Sequence, residues 1–389
     1  MSDPVPPDPA APRGAGEPRG RRTRLRAVGR GLGATALFLA ITLTFFVLLE
    51  GAVSTASFLR NVLRQQDGVV LTEEEHTRYD PDLGWVSLPD VTIPDMYGPG
   101  KTLTTNSRGF RGRSEVEPSV PEGKRRILCS GDSFTLGHGV ADEDTWCARL
   151  ASLDPTLESV NMGQGGYGID QAFLWYGRDG ADLERSVHVL AFIGDDFLRV
   201  QSDHFLGYGK PRLELSGGSL LVTHTPAPRR SRLVRWMIQN GPLFRELASV
   251  RVLSSIVSGS REVTEAATTN EDRTWAVTAA MFDSLARENT ARGARFVLLF
   301  LPTPWDYDTD LYDGWRSRVR AYADSTGVPL VDLVDDLREM TSEEQEALFI
   351  PPGEIGAPHL DESGNEWVAR RLVEEGVLGA STADWVPSP

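Results

Sequence analysis

From Arg126 onward, short apolar runs alternate with longer stretches of helical periodicity. The runs are Arg126–Ser130 (RILCS), Ser159–Met162 (SVNM), Val187–Ile193 (VHVLAFI), Phe296–Leu301 (FVLLFL) and Pro329–Leu333 (PLVDL). Runs this short, apolar almost throughout, are the pattern of parallel strands buried on both faces. Between the third and fourth, Trp275, Ala279, Phe282, Leu285 and Ala286 recur at helical spacing within 271–291, and Gly293 then stops the helix. Gly364 to Leu372, with Trp367, Val368 and Leu372 on one face, predicts the last helix. The alternation predicts an α/β fold with helices on both faces of a parallel sheet. Residues 199–270 break the rhythm: Arg212–Val222 (RLELSGGSLLV) predicts a hairpin around Gly217-Gly218, and the rest predicts short amphipathic helices. Such an insertion after a strand end is either a lid or substrate wall, or a loop excursion without a role.

Upstream the pattern is different. Leu32 to Leu49 (LGATALFLAITLTFFVLL) is eighteen residues without a charge, and a further apolar stretch runs past Glu50 to Leu59. About 20 apolar residues span a bilayer as a helix. Residues 32–59 are therefore expected to be a transmembrane helix, with Glu50 near the outer interface. The alternatives are a signal peptide cleaved near Ser54-Thr55-Ala56 and a buried core helix. Residues 1–31 read as a disordered basic tail: six Pro lie in the first 20 residues, followed by Arg21, Arg22, Arg24, Arg26 and Arg30. Arginines on that side place the tail in the cytoplasm and the rest of the chain outside. Residues 60–125, polar and rich in Pro and Gly, read as an extracytoplasmic lead-in, with local order around Tyr79 to Trp85 and Asn106 to Phe110.

Charge fits this division. The 389-residue chain carries 40 Lys+Arg against 55 Asp+Glu, a formal charge of −15. Residues 1–30 hold seven Arg against three acidic residues, so the tail is +4 and the remainder −19. An acidic body excludes nucleic acid as partner, because a polyanion needs clustered Lys and Arg. Cys129 and Cys147 are too few for a disulfide scaffold; outside the cytoplasm they are free to pair, and Cys129 reads equally well as a small core residue. No His/Asp cluster has ligand-like spacing, so neither a metal nor a cofactor is expected.

Chemistry concentrates at the strand ends, where open α/β sheets place their sites. The first run leads into Gly131-Asp132-Ser133, so Ser133 is presented at a helix start with its N–H toward any developing anion. The second leads into Asn161-Met-Gly-Gln-Gly-Gly-Tyr-Gly168, whose glycines let backbone N–H groups approach a ligand closely. The third ends in Phe192-Ile-Gly-Asp195-Asp196, and a fourth segment, His359-Leu-Asp-Glu-Ser-Gly, opens the last helix. Of the six His, His138 lies five residues after Ser133, too near in sequence to approach it from across a site; His359 is better placed.

Taken in this order, the four blocks resemble the SGNH (GDSL-type) hydrolases over about 126–378. The lead-in, through Gly84-Trp85 and Asn106–Phe110, resembles that of membrane-anchored members. The resemblance implies a three-layer α/β/α sandwich of flavodoxin-like topology spanning 126–389, with the insertion 199–270 and one transmembrane helix ahead of it. It implies Ser133 as nucleophile, His359 as general base, and the N–H groups of Ser133 and Gly166 as oxyanion donors.

Two positions depart from the family pattern. Asp195 stands where the family has an Asn that donates to the oxyanion, and a carboxylate has no proton to give. Either Asp195 is protonated, or Asn161 or Gln164 substitutes, or the hole has two donors. Gly356 stands where the family has the Asp that orients the His; Glu354, a backbone carbonyl or nothing then takes that part. Asp132 and Asp196 are candidates for a supporting role. The function implied is a serine esterase or acyl hydrolase acting on ester bonds of an envelope carbohydrate or lipid, or an O-acyltransferase. The alternatives are a catalytically weakened protein that binds an acylated glycan, and a lipase or thioesterase. The oligomeric state is not legible.

Overall fold

The computed structural model describes residues 35, 37–48, 51–52, 76–231, 234–235 and 262–379. Contacts divide the chain into residues 1–64 with 243–257, and residues 65–242 with 258–389. In the first unit residues 37–48 are helical, with Leu37, Phe38, Ile41, Leu43 and Phe45 exposed. Among the described residues no helix is long and apolar enough to cross a membrane. The expected span at 32–59 therefore has no counterpart there, and its remaining residues, like the basic tail at 1–31, lie outside the described set.

The second unit is built on a five-stranded parallel sheet: β1 (Arg125–Gly131), β2 (Leu157–Gly163), β3 (Val187–Phe192), β4 (Arg295–Phe300) and β5 (Leu330–Asp332), in the order β5-β4-β3-β1-β2. Each strand contains most of an apolar run predicted above. The doubly wound order puts the reversal of winding between β1 and β3, a place where ligand crevices form. Alternation along each strand sends residues to two separate cores. Leu128, Val160, Met162, Leu190, Phe192, Leu298 and Phe300 pack on one face, under helices that contribute Ala172, Phe197, Phe282 and Val319. Ile127, Cys129, Val189, Ala191, Val297 and Leu299 pack on the other, under Leu150, Leu337, Val368 and Leu372. The sheet thus has a helix layer on each face.

The helices that matter to the site are α1 (Ser133–Leu136), α2 (Trp146–Leu153), α3 (Ile169–Trp175), α4 (Gly194–Gln201), α5 (Glu262–Ala291), α6 (Asp313–Thr326), α7 (Val334–Glu339) and α8 (Glu362–Glu374). Arg199 to Gln201 thus belong to α4, and the predicted 271–291 helix starts earlier, at Glu262. The insertion hairpin pairs Arg212–Ser216 with Ser219–Thr223 through Gly217-Gly218, whose φ values of 59° and 82° suit a two-residue hairpin turn. Cys129 of β1 and Cys147 of α2 form a disulfide.

Residues 76–125 pack on the sheet domain rather than trailing away from it. Thr77–Asp80 and Gly84–Ser87 form a hairpin, and Trp85 and Phe110 are fully buried in the first core. Arg111 is buried too. Its Nη1 donates to the carbonyls of Leu136 and Gly137 at 2.7 Å, its Nη2 to that of Val140 at 2.6 Å, and its Nε to Asp142. A cation at the carbonyl end of α1 satisfies groups that the helix leaves unpaired and suits the sign of its dipole.

Candidate active site

β1 ends on Gly131, where an added Cβ would lie 2.3 Å from Thr135 Oγ1 and 2.5 Å from the Ala191 carbonyl, so only glycine lets the chain turn here. Asp132 caps α1, its Oδ1 accepting from the Phe134 N–H at 2.9 Å. Gly137, at φ 76°, ends the helix after one turn. Ser133 is thereby held at the helix start, 8% exposed.

His359 comes to the same point from the opposite end of the chain. Its Nε2 lies 2.8 Å from Ser133 Oγ and its Nδ1 2.7 Å from the carbonyl oxygen of Gly356. A carbonyl only accepts, so Nδ1 carries the proton and Nε2 presents its lone pair to the serine hydroxyl. The group that orients the imidazole is therefore the Gly356 backbone. Glu354 is exposed and does not reach the ring. Gly356 has φ 103°, and a Cβ there would lie 2.6 Å from Gly139 Cα. Burial lowers the His359 pKa to about 4, the bond to the Gly356 carbonyl opposing this and the nearby Arg199 charge adding to it.

The second loop brings Gly166 to φ 75°, with the Phe205 ring packed against its Cα face. Among the described residues neither the Ser133 nor the Gly166 N–H has an acceptor. The loop's shape is set by the lead-in: Trp85 Nε1 donates to the Gly165 carbonyl at 2.9 Å, Tyr167 Oη to the Trp85 carbonyl at 2.5 Å, and Gln171 Nε2 to the Leu83 carbonyl at 2.7 Å. Gln164 is turned to the lead-in, accepting from Ser87 Oγ at 2.6 Å. Asn161 ties the loop to α1, donating to the Thr135 carbonyl and accepting from the Gly163 N–H, both at 2.8 Å. Both side chains brace the loop, and neither hydrogen-bonds to Ser133 Oγ.

In the third block Asp195 accepts from Tyr312 Oη at 2.6 Å. The tyrosine ring lies so close over Gly194 that a Cβ there would be 2.1 Å from it. Burial, then the bond to Asp195, holds the Tyr312 hydroxyl above its usual range. Asp196 is buried, and its Oδ2 accepts from the Ile193 N–H at 3.1 Å. Burial and the neighbouring Asp132 push its carboxyl well above the ordinary carboxylate range. Asp132 is likewise raised by burial, against the pull of Arg199.

Sequence reasoning missed two neighbours. By its spacing His138 is too near Ser133 to approach it from across a site, yet its ring centroid lies 4.9 Å from that of His359 and 4.8 Å from that of Tyr97. The αL turn at Gly137 redirects the chain and makes this possible. Arg199 falls within the expected insertion 199–270, but its Nη1 is 3.3 Å from Asp132 Oδ2 and 2.6 Å from Asp196 Oδ1. A helix drawn one turn further past Asp196 would have shown it.

A second serine–histidine contact exists in the core: Ser130 Oγ lies 2.7 Å from His188 Nε2, and His188 Nδ1 is 3.2 Å from Asn289 Nδ2. Both Ser130 and His188 are at most 1% exposed, which bars them from any substrate. Among the described residues no group of three or more His, Cys, Asp or Glu is arranged to hold a metal ion.

No family model matches this chain, and no curated protein matches it. Solved structures do. A member of the lipolytic protein G-D-S-L family from Veillonella parvula is 14% identical, with 64% of this chain and 97% of that one covered, at a TM-score of 0.36. An acetyl xylan esterase is 14% identical, with 64% and 98% covered, at 0.37. The lipase/acylhydrolase from Enterococcus faecalis is 10% identical, with 65% and 95% covered, at 0.35. Likeness at these identities and TM-scores assigns no activity to the chain.

Proposed function

We propose that this protein is a serine ester hydrolase, with Ser133 as nucleophile and His359 as general base. The observation that carries the reading is the 2.8 Å contact from His359 Nε2 to Ser133 Oγ, with Nδ1 committed to the Gly356 carbonyl. Only the tautomer that can take the serine proton fits both contacts. Ser133 Oγ attacks the ester carbonyl carbon while its proton passes to Nε2, and the tetrahedral oxyanion takes hydrogen bonds from the N–H groups of Ser133 and Gly166. The leaving alkoxide takes the proton from Nε2 as its C–O bond breaks. Water, or a sugar hydroxyl in the case of O-acyl transfer, then releases the acyl group by the same steps reversed in role.

The domain is read as extracytoplasmic, held to the membrane through residues 32–59 with residues 1–31 in the cytoplasm. Support comes from the arginine-flanked apolar run and from the Cys129–Cys147 disulfide, a bond of oxidising compartments. An acylated envelope carbohydrate or a lipid is the substrate class that fits this placement.

A fluorophosphonate probe tests the assignment. Wild type is expected to be labelled at Ser133, and Ser133→Ala and His359→Ala to lose the label. An unlabelled wild type, or labelling that survives Ser133→Ala, overturns it. One observation favours a second reading, a weakened site that binds an acylated glycan without turning it over: Asp195 presents a carboxylate where the hydrolases it resembles present an amide. Equilibrium binding of an acylated oligosaccharide without release of acid would select that reading.

A further inference from the structure

We propose that Arg199 is the positioning residue of this site: it holds the carboxylates of Asp132 and Asp196 so that His359, and not Asp132, receives the Ser133 proton. The inference rests on the ester-hydrolase reading above.

The serine hydroxyl has two acceptors within reach. His359 Nε2 is at 2.8 Å, and Asp132 Oδ2 is at 3.4 Å. The other oxygen of Asp132 is used as the helix cap, so Oδ2 is the one whose behaviour is open. An uncompensated carboxylate beside the nucleophile does two kinds of harm. It competes for the proton that must reach the base, and it repels the oxyanion that forms on the substrate. Asp196 adds a second buried carboxyl group at the start of α4, with the partly exposed Asp195 beside it.

Arg199 answers these charges from a fixed place. A single nitrogen, Nη1, makes contacts to Asp132 Oδ2 at 3.3 Å, to Asp196 Oδ1 at 2.6 Å and to the Tyr167 carbonyl at 2.9 Å. These are the loops after β1, β3 and β2, so one group joins the three strand ends that surround Ser133. The guanidinium carbon lies 5.0 Å from the centroid of the Phe205 ring, which itself packs on Gly166. The residue's own carbonyl accepts from Lys210 Nζ at 2.8 Å, and Lys210 is anchored by a fully buried ion pair with Asp170. The arginine is thus fixed at both its head and its backbone.

The same charge reaches His359. The groups around that imidazole are Ser133 and, behind it, Asp132; Arg199; His138, with Arg111 and His76 beyond it; the Gly356 carbonyl; and the Phe134 ring. Arg199 is the cation among them that acts directly on His359, in the direction that disfavours its protonation. Removing it should raise the His359 pKa, because a positive charge that disfavours the imidazolium is lost.

The test compares Arg199→Met, Arg199→Lys, Asp132→Asn and the double variant Asp132→Asn/Arg199→Met. With a nitrophenyl ester, Arg199→Met is expected to lose on the order of 10²-fold in kcat, the loss typical of one electrostatic contact in such a site, with little change in KM. Its acid limb should move up by about one pH unit, a readout that a purely structural role would not shift. Arg199→Lys should restore about tenfold of the loss. In the Asp132→Asn background, where the competing carboxylate is gone but the helix cap is kept, removing Arg199 should cost less than about tenfold. If Arg199→Met alone fails to fold, Arg199→Lys takes its place in the same two-background comparison.

A loss that is equal in both backgrounds, or that leaves the acid limb in place, overturns the proposal. So does an Arg199→Met enzyme as active as wild type. Titration of the His359 ring by NMR in wild type and in Arg199→Met needs no turnover. If wild type proves unlabelled and inactive, the hydrolase reading falls, while an unmoved His359 titration is what sinks the role of Arg199.

Discussion

Acidifying the assay through the range in which an ordinary histidine protonates should leave turnover almost untouched. In the proposed mechanism the general base is His359, only 8% exposed, packed between the rings of Phe134 and His138 and held at Nδ1 by a neutral carbonyl rather than by a carboxylate. No anion bonded to the ring stabilises the imidazolium, so burial dominates and its pKa falls from 6.5 to about 4. At 1.36 kcal/mol per unit this is a preference of about 3 kcal/mol for the neutral base. The folded enzyme's kcat/KM for a nitrophenyl ester, followed at the wavelength where phenol and phenolate absorb equally, should stay level down to roughly pH 5. It should halve near pH 4 and fall about tenfold per unit below that. Circular dichroism at each pH separates protonation of the base from unfolding. The same low pKa makes His359 a weak proton acceptor, so kcat should be modest even on activated esters. An acid limb near 6.5, with the protein still folded, would refute the reasoning: it would mean that an anion, and not the Gly356 carbonyl, sets the state of the ring.

Other expectations follow from particular contacts. Asp195→Asn keeps an oxygen to accept from Tyr312 and supplies an amide at the position where the resembled family donates to the oxyanion; kcat is expected to rise about tenfold or more, and an unchanged kcat would mean this side chain does not face the reacting carbonyl. Replacing both Cys129 and Cys147 by Ala removes a cross-link closing a separation of 18 residues, which on chain entropy costs about 3 kcal/mol; denaturant melts that overlay wild type would count against a stabilising bond. Burial holds His138, His188 and His359 below the usual histidine range, so folding excludes protons that the unfolded chain takes up. Their stabilisation is complete above about pH 6.5 and is lost as pH falls below it, at up to about 1.4 kcal/mol per unit for each, partly offset by the raised Asp132 and Asp196; melts at pH 7.5 and 5.5 should show the loss, and equal stability would reject it.

The strands were legible because burial on both faces leaves an apolar signature in four to seven consecutive residues, with boundaries off by one or two. The places of Ser133, at the end of such a strand, and of His359, before the last helix, were legible, while the roles proposed for them come from the resemblance of the four blocks to the SGNH pattern. Which of the three alternatives orients His359 was not readable: a backbone carbonyl was among them, but it leaves no residue type in the sequence that would set it above Glu354. Asn161 and Gln164 have amides of the right kind, but which way an amide faces is decided by the lead-in residues around it. Arg199 and His138 were missed for a related reason. Their approach to the site depends on how far α4 extends and on the left-handed turn at Gly137, and neither is visible in periodicity.

The lead-in also limits how the site could be cut out of this chain. The loop that carries Gly166 is shaped by Leu83, Trp85 and Ser87, some 80 residues earlier, and the turn that carries Ser133 is closed by Arg111. A fragment cut where the strand pattern begins, near Arg126, would keep all four strand-end blocks and yet lack the parts that give two of them their form. The smallest transplantable unit is therefore set by these tethers and has to begin ahead of His76. Substitutions in the hairpin from Thr77 to Ser87 would travel with substitutions around Gly165 if the site were moved to another scaffold.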